Sequence, residues 1–251
     1  MNHALEIKDL SKAYGKRYVV KNVDISVKTG EIVGLLGPNG AGKTTTFYMV
    51  VGMITPESGN ITLDGADIRR LPMYLRAAKG IGYLPQEPSI FRKLTVRENL
   101  MAVLEIKRKR RGPGDKGDKN PASINDEVQR LLEEFNLKNF ADRDGYRLSG
   151  GERRRAEIAR AIALNPLFML FDEPFAGIDP IAIIELKKML GYLKSKGLGI
   201  LITDHNVRET LSITDRAYII SNGQVLAEGT SDALVNNPAV KEAYLGEEFR
   251  L

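Results

Sequence analysis

Apolar and polar residues alternate in Leu5-Glu6-Ile7-Lys8-Asp9-Leu10 and again in Val23-Asp24-Ile25-Ser26-Val27. That period belongs to strands with one buried face, and it predicts antiparallel strands near the N-terminus. Ile32-Val33-Gly34-Leu35-Leu36, Leu167-Phe168-Met169-Leu170-Phe171 and Leu198-Gly199-Ile200-Leu201-Ile202 do not alternate. Continuous apolar runs of that length suit strands covered on both faces. A helix is expected from Lys43 to about Met53. Between Pro88 and Asp144 there is no strand-like run, and Val128, Leu131, Leu132 and Phe135 recur at helical spacing. This stretch predicts a helical subdomain, broken by the loop Arg111–Gly117. Asn222-Gly223, between Tyr218-Ile219-Ile220 and Val225-Leu226, predicts a hairpin turn. The class is α/β, without internal repeats.

The chain's 251 residues suffice for one large α/β domain with a subdomain. Without cysteine there are no disulfides or thiolate metal sites, and a reducing compartment is permitted. No apolar run approaches the roughly 20 residues of a membrane helix. The richest, Ala161 to Phe171, is cut by Asn165-Pro166. Met1–Glu6 does not read as a signal peptide, so a soluble cytoplasmic protein is expected. The net charge of +5 sits in one place: Lys107–Lys119 holds seven Lys/Arg against two Asp, and the remainder sums to zero. A solvated loop is the default reading of such a run. Anionic lipid contact, at about 1 kcal/mol per basic residue, is a second. Nucleic-acid binding is disfavoured because no aromatic residue interleaves the charges.

Gly37-Pro38-Asn39-Gly40-Ala41-Gly42-Lys43-Thr44 matches the phosphate-loop pattern in full, between an expected buried strand and a helix. Successive backbone amides cradle phosphates, Lys43 meets the outer ones and the Thr44 hydroxyl binds Mg²⁺. Thr45 follows in the same phosphate-binding segment. Phe168–Phe171 ends in Asp172-Glu173. Two carboxylates at a strand's carboxyl end reach the mouth of the sheet, where Asp172 would hold Mg²⁺ and Glu173 would polarise the attacking water. His205 stands at another strand end and could contact the γ-phosphate. Gln86, after a short apolar strand, could reach Mg²⁺ and the same water.

Leu148-Ser149-Gly150-Gly151-Glu152 reads locally as a helix start, with Ser149 and Glu152 forming a capping box. The two glycines suit a backbone that something must approach closely, and the helix start is also an anion site.

In their order, Tyr14, Gly37–Thr44, Gln86, Leu148–Glu152, Asp172-Glu173, Asp179 and His205 resemble the ATP-binding cassette family across essentially the whole chain. The resemblance implies a phosphate-loop ATPase fold with a core over about 1–87 and 145–235, a helical subdomain over 88–144 and a helical tail over 236–251. It implies that Tyr14 stacks on adenine and that Ser149, Gly150, Gly151 and Glu152 bind the γ-phosphate of ATP held by a second copy. Asp179, in Ala176-Gly177-Ile178-Asp179, would belong to the loop that communicates across the homodimer, although Gly177 and Ile178 depart from its usual residues.

Thr45–Gly52, Gly82–Glu87, Ser149–Arg155, Thr203–Thr210 and Tyr244–Leu251 are similar to the ATPase subunits of lipopolysaccharide exporters. Branched-chain amino-acid importer ATPases share several of these stretches. By this resemblance, ATP and Mg²⁺ are the ligands, and the dimer is peripheral to the cytoplasmic face of the inner membrane. It would drive two integral membrane subunits that touch Ser89, Ile90, Phe91 and Arg92. Phe91 could equally be plain subdomain core. Cassette ATPases acting on chromosomes carry long coiled coils, which this chain lacks. A non-hydrolysing regulator has little need of both Glu173 and His205.

Overall fold

The computed structural model describes residues 2–110, 121–246 and 249. The chain divides into two compact units, Met1–Gln86 with Leu167–Leu251, and Glu87–Pro166.

In the first unit, β1 (Ala4–Tyr14) and β2 (Arg17–Lys28) form an antiparallel hairpin, and β4 (Ser58–Leu63) with β5 (Ala66–Asp67) completes a four-stranded sheet in the order β2-β1-β4-β5. The alternation seen in the sequence is the inward face of this sheet: Leu5, Ile7, Val23, Ile25 and Val27 are buried. A second sheet has six strands in the order β10-β9-β3-β8-β7-β6. These are β3 (Ile32–Leu36), β6 (Ile81–Leu84), β7 (Phe168–Asp172), β8 (Gly199–Thr203), β9 (Arg216–Ser221) and β10 (Gln224–Gly229). Its ladders are parallel except β9–β10, the hairpin turned by Asn222-Gly223. Every residue of β3, β7 and β8 is buried, as continuous apolar runs require.

Helix α1 (Lys43–Val51) follows β3 and stops at Gly52, whose φ of 94° provides the left-handed termination that glycine tolerates. Its Phe47, Met49, Val50 and Val51 share one core with Leu5, Ile25, Leu35 and Leu170. Helix α2 (Met73–Ala78) presents Arg76, which is only 2% exposed, to this region. The Arg76 guanidinium donates to four backbone carbonyls: Met49 and Val50 at 2.7 Å each, Leu71 and Arg69 at 2.8 Å each. Two of these are end carbonyls of α1, which lack partners within the helix. Burial pushes the Arg76 guanidinium down to about 10.

The second unit holds α3 (Val96–Arg110), α4 (Pro121–Glu134) and α5 (Gly150–Ile162). Val128, Leu131, Leu132 and Phe135 are all buried with Leu100 and Leu104, so the helical spacing marks a real core face. This unit extends to Pro166, past residue 144 where the sequence resemblance places its end. Helix α5 packs on α3, and Glu157 near its middle accepts the Ser89 and Ile90 amides at 2.6 and 3.2 Å. Of the basic segment, Lys107 to Arg110 end α3, and Lys107 Nζ donates to the Ala163 carbonyl at 2.9 Å. The expected loop from Arg111 lies outside the described residues.

Back in the first unit, α6 (Pro180–Ser195) links β7 to β8 and α7 (Val207–Leu211) leads to β9. The chain continues through α8 (Ser231–Val235) and α9 (Pro238–Val240) into a π-helical turn over Lys241–Leu245.

Candidate functional site

The loop Gly37–Gly42 runs from the end of β3 into the start of α1. Gly37, at φ 151°, packs so tightly that an added Cβ would lie 2.0 Å from the Ile220 carbonyl oxygen. Gly42, at φ 104°, would similarly meet the Val19 carbonyl at 2.4 Å. The glycines are therefore dictated by close backbone approach as well as by torsion. Gly40 also has a positive φ, while Pro38, Asn39 and Ala41 complete the loop, with Ala41 N–H donating to the Pro38 carbonyl at 3.2 Å. Lys43 Nζ donates to the Gly37 and Pro38 carbonyls at 2.6 and 3.0 Å. Burial lowers the ammonium's pKa, with Glu173 pulling the other way. Thr44 and Thr45 stand beside it in the first turn, whose amides carry the positive end of the helix dipole.

β7 delivers Asp172 and Glu173 to the same edge of the sheet. Asp172 is 5% exposed and accepts from the Tyr83 hydroxyl at 3.4 Å. Glu173 follows with φ 44°, a left-handed conformation seldom taken by residues other than glycine, asparagine and aspartate. The strained turn is tied down by its own amide, which donates to the Thr203 carbonyl at 2.7 Å. Gln86 Nε2 donates to Glu173 Oε2 at 2.9 Å, and His205 Nδ1 lies 3.2 Å from the same oxygen. Two of the expected catalytic residues thus converge on the carboxylate of the third. His205 keeps 59% of its side chain exposed, as a group reaching toward a ligand requires.

Beneath it, Asp204 is wholly buried and accepts the Phe175 and Asn206 amides at 2.9 and 2.8 Å. Burial raises its pKa, and those two amides partly oppose the shift. Sequence reasoning did not single out Asp204, although an acid directly after an apolar strand and before His205 is the available signal.

Hydroxyl, carboxylate and side-chain amide oxygens at Thr44, Asp172 and Gln86 are hard donors of the kind Mg²⁺ takes. A single buried carboxylate, rather than a cage of acids, fits an ion that keeps waters and substrate phosphate in its shell.

Tyr14, at the end of β1, is 53% exposed with the Lys12 ammonium 5.6 Å from its ring centre. Asp179 caps α6, accepting the Ala182 amide at 3.0 Å. In the helical unit Ser149 caps α5: its hydroxyl accepts the Glu152 amide at 3.4 Å and Glu152 Oε2 accepts the Ser149 amide at 2.8 Å. The capping box is therefore real, while Gly150 has open space around its Cα. Near the start of the same unit, Ile90 is buried and Phe91 is half exposed beneath the Arg160 guanidinium, 4.7 Å from its ring centre. Arg160 also donates to the Ser89 carbonyl at 2.7 Å, and Arg92 is exposed beside them.

Residues 20–176 match the family described as ABC transporter, and residues 224–250 match one described as branched-chain amino acid ATP-binding cassette transporter. The chain is 55% identical over 247 residues to the lipopolysaccharide export system ATP-binding protein LptB of Haemophilus influenzae, covering 98% of this chain and 99% of that protein. The protein of the same name from Acidithiobacillus ferridurans is 49% identical over 251 residues, with complete coverage of both. Among solved structures, an ATP-binding cassette of an ABC transporter in its ADP conformation superposes with a TM-score of 0.83 at 29% identity, covering 98% of this chain and 99% of that one. A dimeric cassette in a post-hydrolysis state, bound to ADP and Pi, gives a TM-score of 0.75 at 26% identity over 90% of this chain and 98% of that one.

Proposed function

The chain belongs to the ABC transporter ATPase family, and we propose that it is the energy-coupling subunit of a lipopolysaccharide export system, working as a homodimer on two membrane subunits. The observation that carries the export reading is 55% identity across 98% of the chain with proteins named for that system. No helix among the described residues is long and apolar enough to cross a membrane, so transport requires partners that do.

Hydrolysis of ATP falls to the groups gathered at the sheet edge. Loop amides and Lys43 hold the phosphates, and Tyr14 offers its exposed ring to the adenine. Glu173 takes the proton of the attacking water as general base, held in place by Gln86 and His205. His205 also donates toward the γ-phosphate. A Mg²⁺ ion held by Thr44, Asp172 and Gln86 would neutralise charge on the transferring phosphoryl group. Ser149, Gly150, Gly151 and Glu152 would close on the phosphate of the second copy's ATP, with Asp179 in the loop between copies. Ser89, Ile90, Phe91 and Arg92 would receive the membrane subunits on the cytoplasmic face of the inner membrane. In support of that reading, Ser89 and Ile90 are bonded to Glu157, and Ser89 to Arg160, on the helix that Ser149 starts.

The branched-chain importer reading has one observation in its favour, the C-terminal match over residues 224–250. Purification of the intact membrane complex separates the two. Permeases that bring lipopolysaccharide with them support export, and an amino-acid permease overturns it. For the ATPase chemistry, Glu173→Gln is expected to bind ATP and accumulate as a dimer with turnover lowered at least about 100-fold, the lower end for a positioned proton-transfer group. Turnover at the wild-type rate would remove Glu173 from the role of base.

A further inference from the structure

Two phenols outside the recognised motifs converge on Asp172. Tyr83 lies on β6, in register with Leu170 of β7, and its hydroxyl reaches Asp172 Oδ2 at 3.4 Å. Tyr48 lies on α1 four residues after Thr44, which places both on one helix face. Its phenol interacts with the Asp172 carboxylate and with the Tyr83 phenol.

Packing alone does not account for these hydroxyls. The Tyr83 ring already contacts Phe47, with centroids 6.0 Å apart and planes tilted by 58°. Phenylalanine would pack there equally well and would not bring a polar group to a half-buried position. Beside an ionised carboxylate, which can only accept, a phenol hydroxyl acts as the donor, as the Tyr83 hydroxyl does at 3.4 Å. A carboxylate held by such donors loses rotational freedom, as ligating carboxylates in metal sites commonly do. β6 also carries the chain to Gln86, three residues after Tyr83, whose amide holds Glu173 at 2.9 Å. The edge strand and the turn that follows it thus bond both acids of the site.

We propose that Tyr83 and Tyr48 are positioning residues for the divalent cation that accompanies ATP, setting its affinity by fixing the Asp172 carboxylate in a single orientation. This rests on the reading of Asp172 as the cation's carboxylate. The phenols touch neither nucleotide nor water in the mechanism; they act through Asp172. Removing them therefore weakens the cation and leaves the phosphate loop's own grip on nucleotide in place.

The test uses full-length protein with ADP, so that no turnover occurs, and Mn²⁺ as the probe, with free Mn²⁺ followed by electron paramagnetic resonance. Tyr48→Phe, Tyr83→Phe, the double variant and Asp172→Asn are compared. Phenylalanine deletes only the hydroxyl, so the fold is retained. The double variant should bind Mn²⁺ at least about 10-fold more weakly, the lower end for outer partners of a metal ligand. ADP affinity in excess chelator should be unchanged. In ATPase assays the Mg²⁺ concentration for half-maximal rate should rise by the same factor, with kcat at saturating Mg²⁺ within about twofold. Wild-type Mn²⁺ affinity in the double variant, with affinity lost in Asp172→Asn, overturns the role of the phenols alone. Wild-type affinity in Asp172→Asn removes Asp172 as the cation's carboxylate and the proposal with it. Equal loss of ADP binding in chelator overturns it as well, because the hydroxyls would then serve the fold.

Discussion

Arg76→Met removes a guanidinium that is 2% exposed and leaves four carbonyls without their donor. Hydrogen bonds to a charged group contribute about 1.5–3 kcal/mol each, so the gross loss is on the order of 6–12 kcal/mol. Against this stands the cost of keeping the charge buried. The fall from 12.5 to about 10 corresponds to about 3 kcal/mol at 1.36 kcal/mol per unit. Methionine fills much of the vacated volume, and the carbonyls relax toward other donors. The net destabilisation expected is about 3–5 kcal/mol, the range for breaking a buried charged network by removing one member.

The protein has nine tyrosines and no tryptophan, so urea unfolding is followed by tyrosine fluorescence. At about 2–4 °C per kcal/mol for a chain of this size, Tm should fall by roughly 10 °C. Arg76→Lys keeps the charge but presents three donors from one nitrogen instead of a planar fork, and should recover only part of the loss. Since two of the four carbonyls, Met49 and Val50, end the helix that begins at Lys43, the variant should also bind ATP more weakly. A stability within about 0.5 kcal/mol of wild type at unchanged m-value would refute the account, because ordinary surface substitutions lie in that range.

Gly37→Ala should abolish ATP binding and cost about 3 kcal/mol or more, because its Cβ would meet the Ile220 carbonyl at 2.0 Å; isothermal titration and thermal unfolding check the two effects. Ser149→Arg removes the cap of α5, worth about 1 kcal/mol. It should leave ATP binding to the monomer intact while abolishing turnover, and loss of monomer binding would contradict the shared-site reading. Asp204 has a folded pKa above its ordinary 3.8, so the native state holds that proton longer than the unfolded chain does. Its contribution to stability therefore falls as pH rises from 3.8 through the raised value. Asp204→Asn lacks this component, and the stability gap in favour of wild type should narrow over that window in Tm measurements from pH 4 to 7.

Much of the fold was legible because it rests on local periodicity. Strands β3, β7 and β8 announced themselves as unbroken apolar runs, and Val128, Leu131 and Leu132 marked the inner face of α4, with Phe135 just beyond its end. Ser58–Leu63 did not stand out, since only Ile61 and Leu63 are buried in this short strand. Helix α5 was grouped by resemblance with the nucleotide core, yet its Glu157 and Arg160 bond to Ser89 and Ile90 of the helical unit. Such tertiary bonds leave no periodic trace. Arg76 was invisible for the same reason: its acceptors lie up to 27 residues away, and arginine ordinarily signals surface. The hydroxyls of Tyr48 and Tyr83 acquire meaning only once β6 lies beside β7, a pairing across 89 residues between Tyr83 and Asp172. The convergence of Gln86 and His205 on Glu173 likewise needs the strand order.

Glu173 occupies its left-handed backbone conformation at a cost of about 1–3 kcal/mol, which glycine at the same place would avoid. Selection for thermal resistance and selection for turnover therefore pull this position in opposite directions. A directed-evolution library sorted only by survival of heating would enrich glycine at 173 and return hardened proteins without the base proposed for hydrolysis. Any stabilisation campaign on this chain has to screen turnover in parallel, or hold residue 173 fixed.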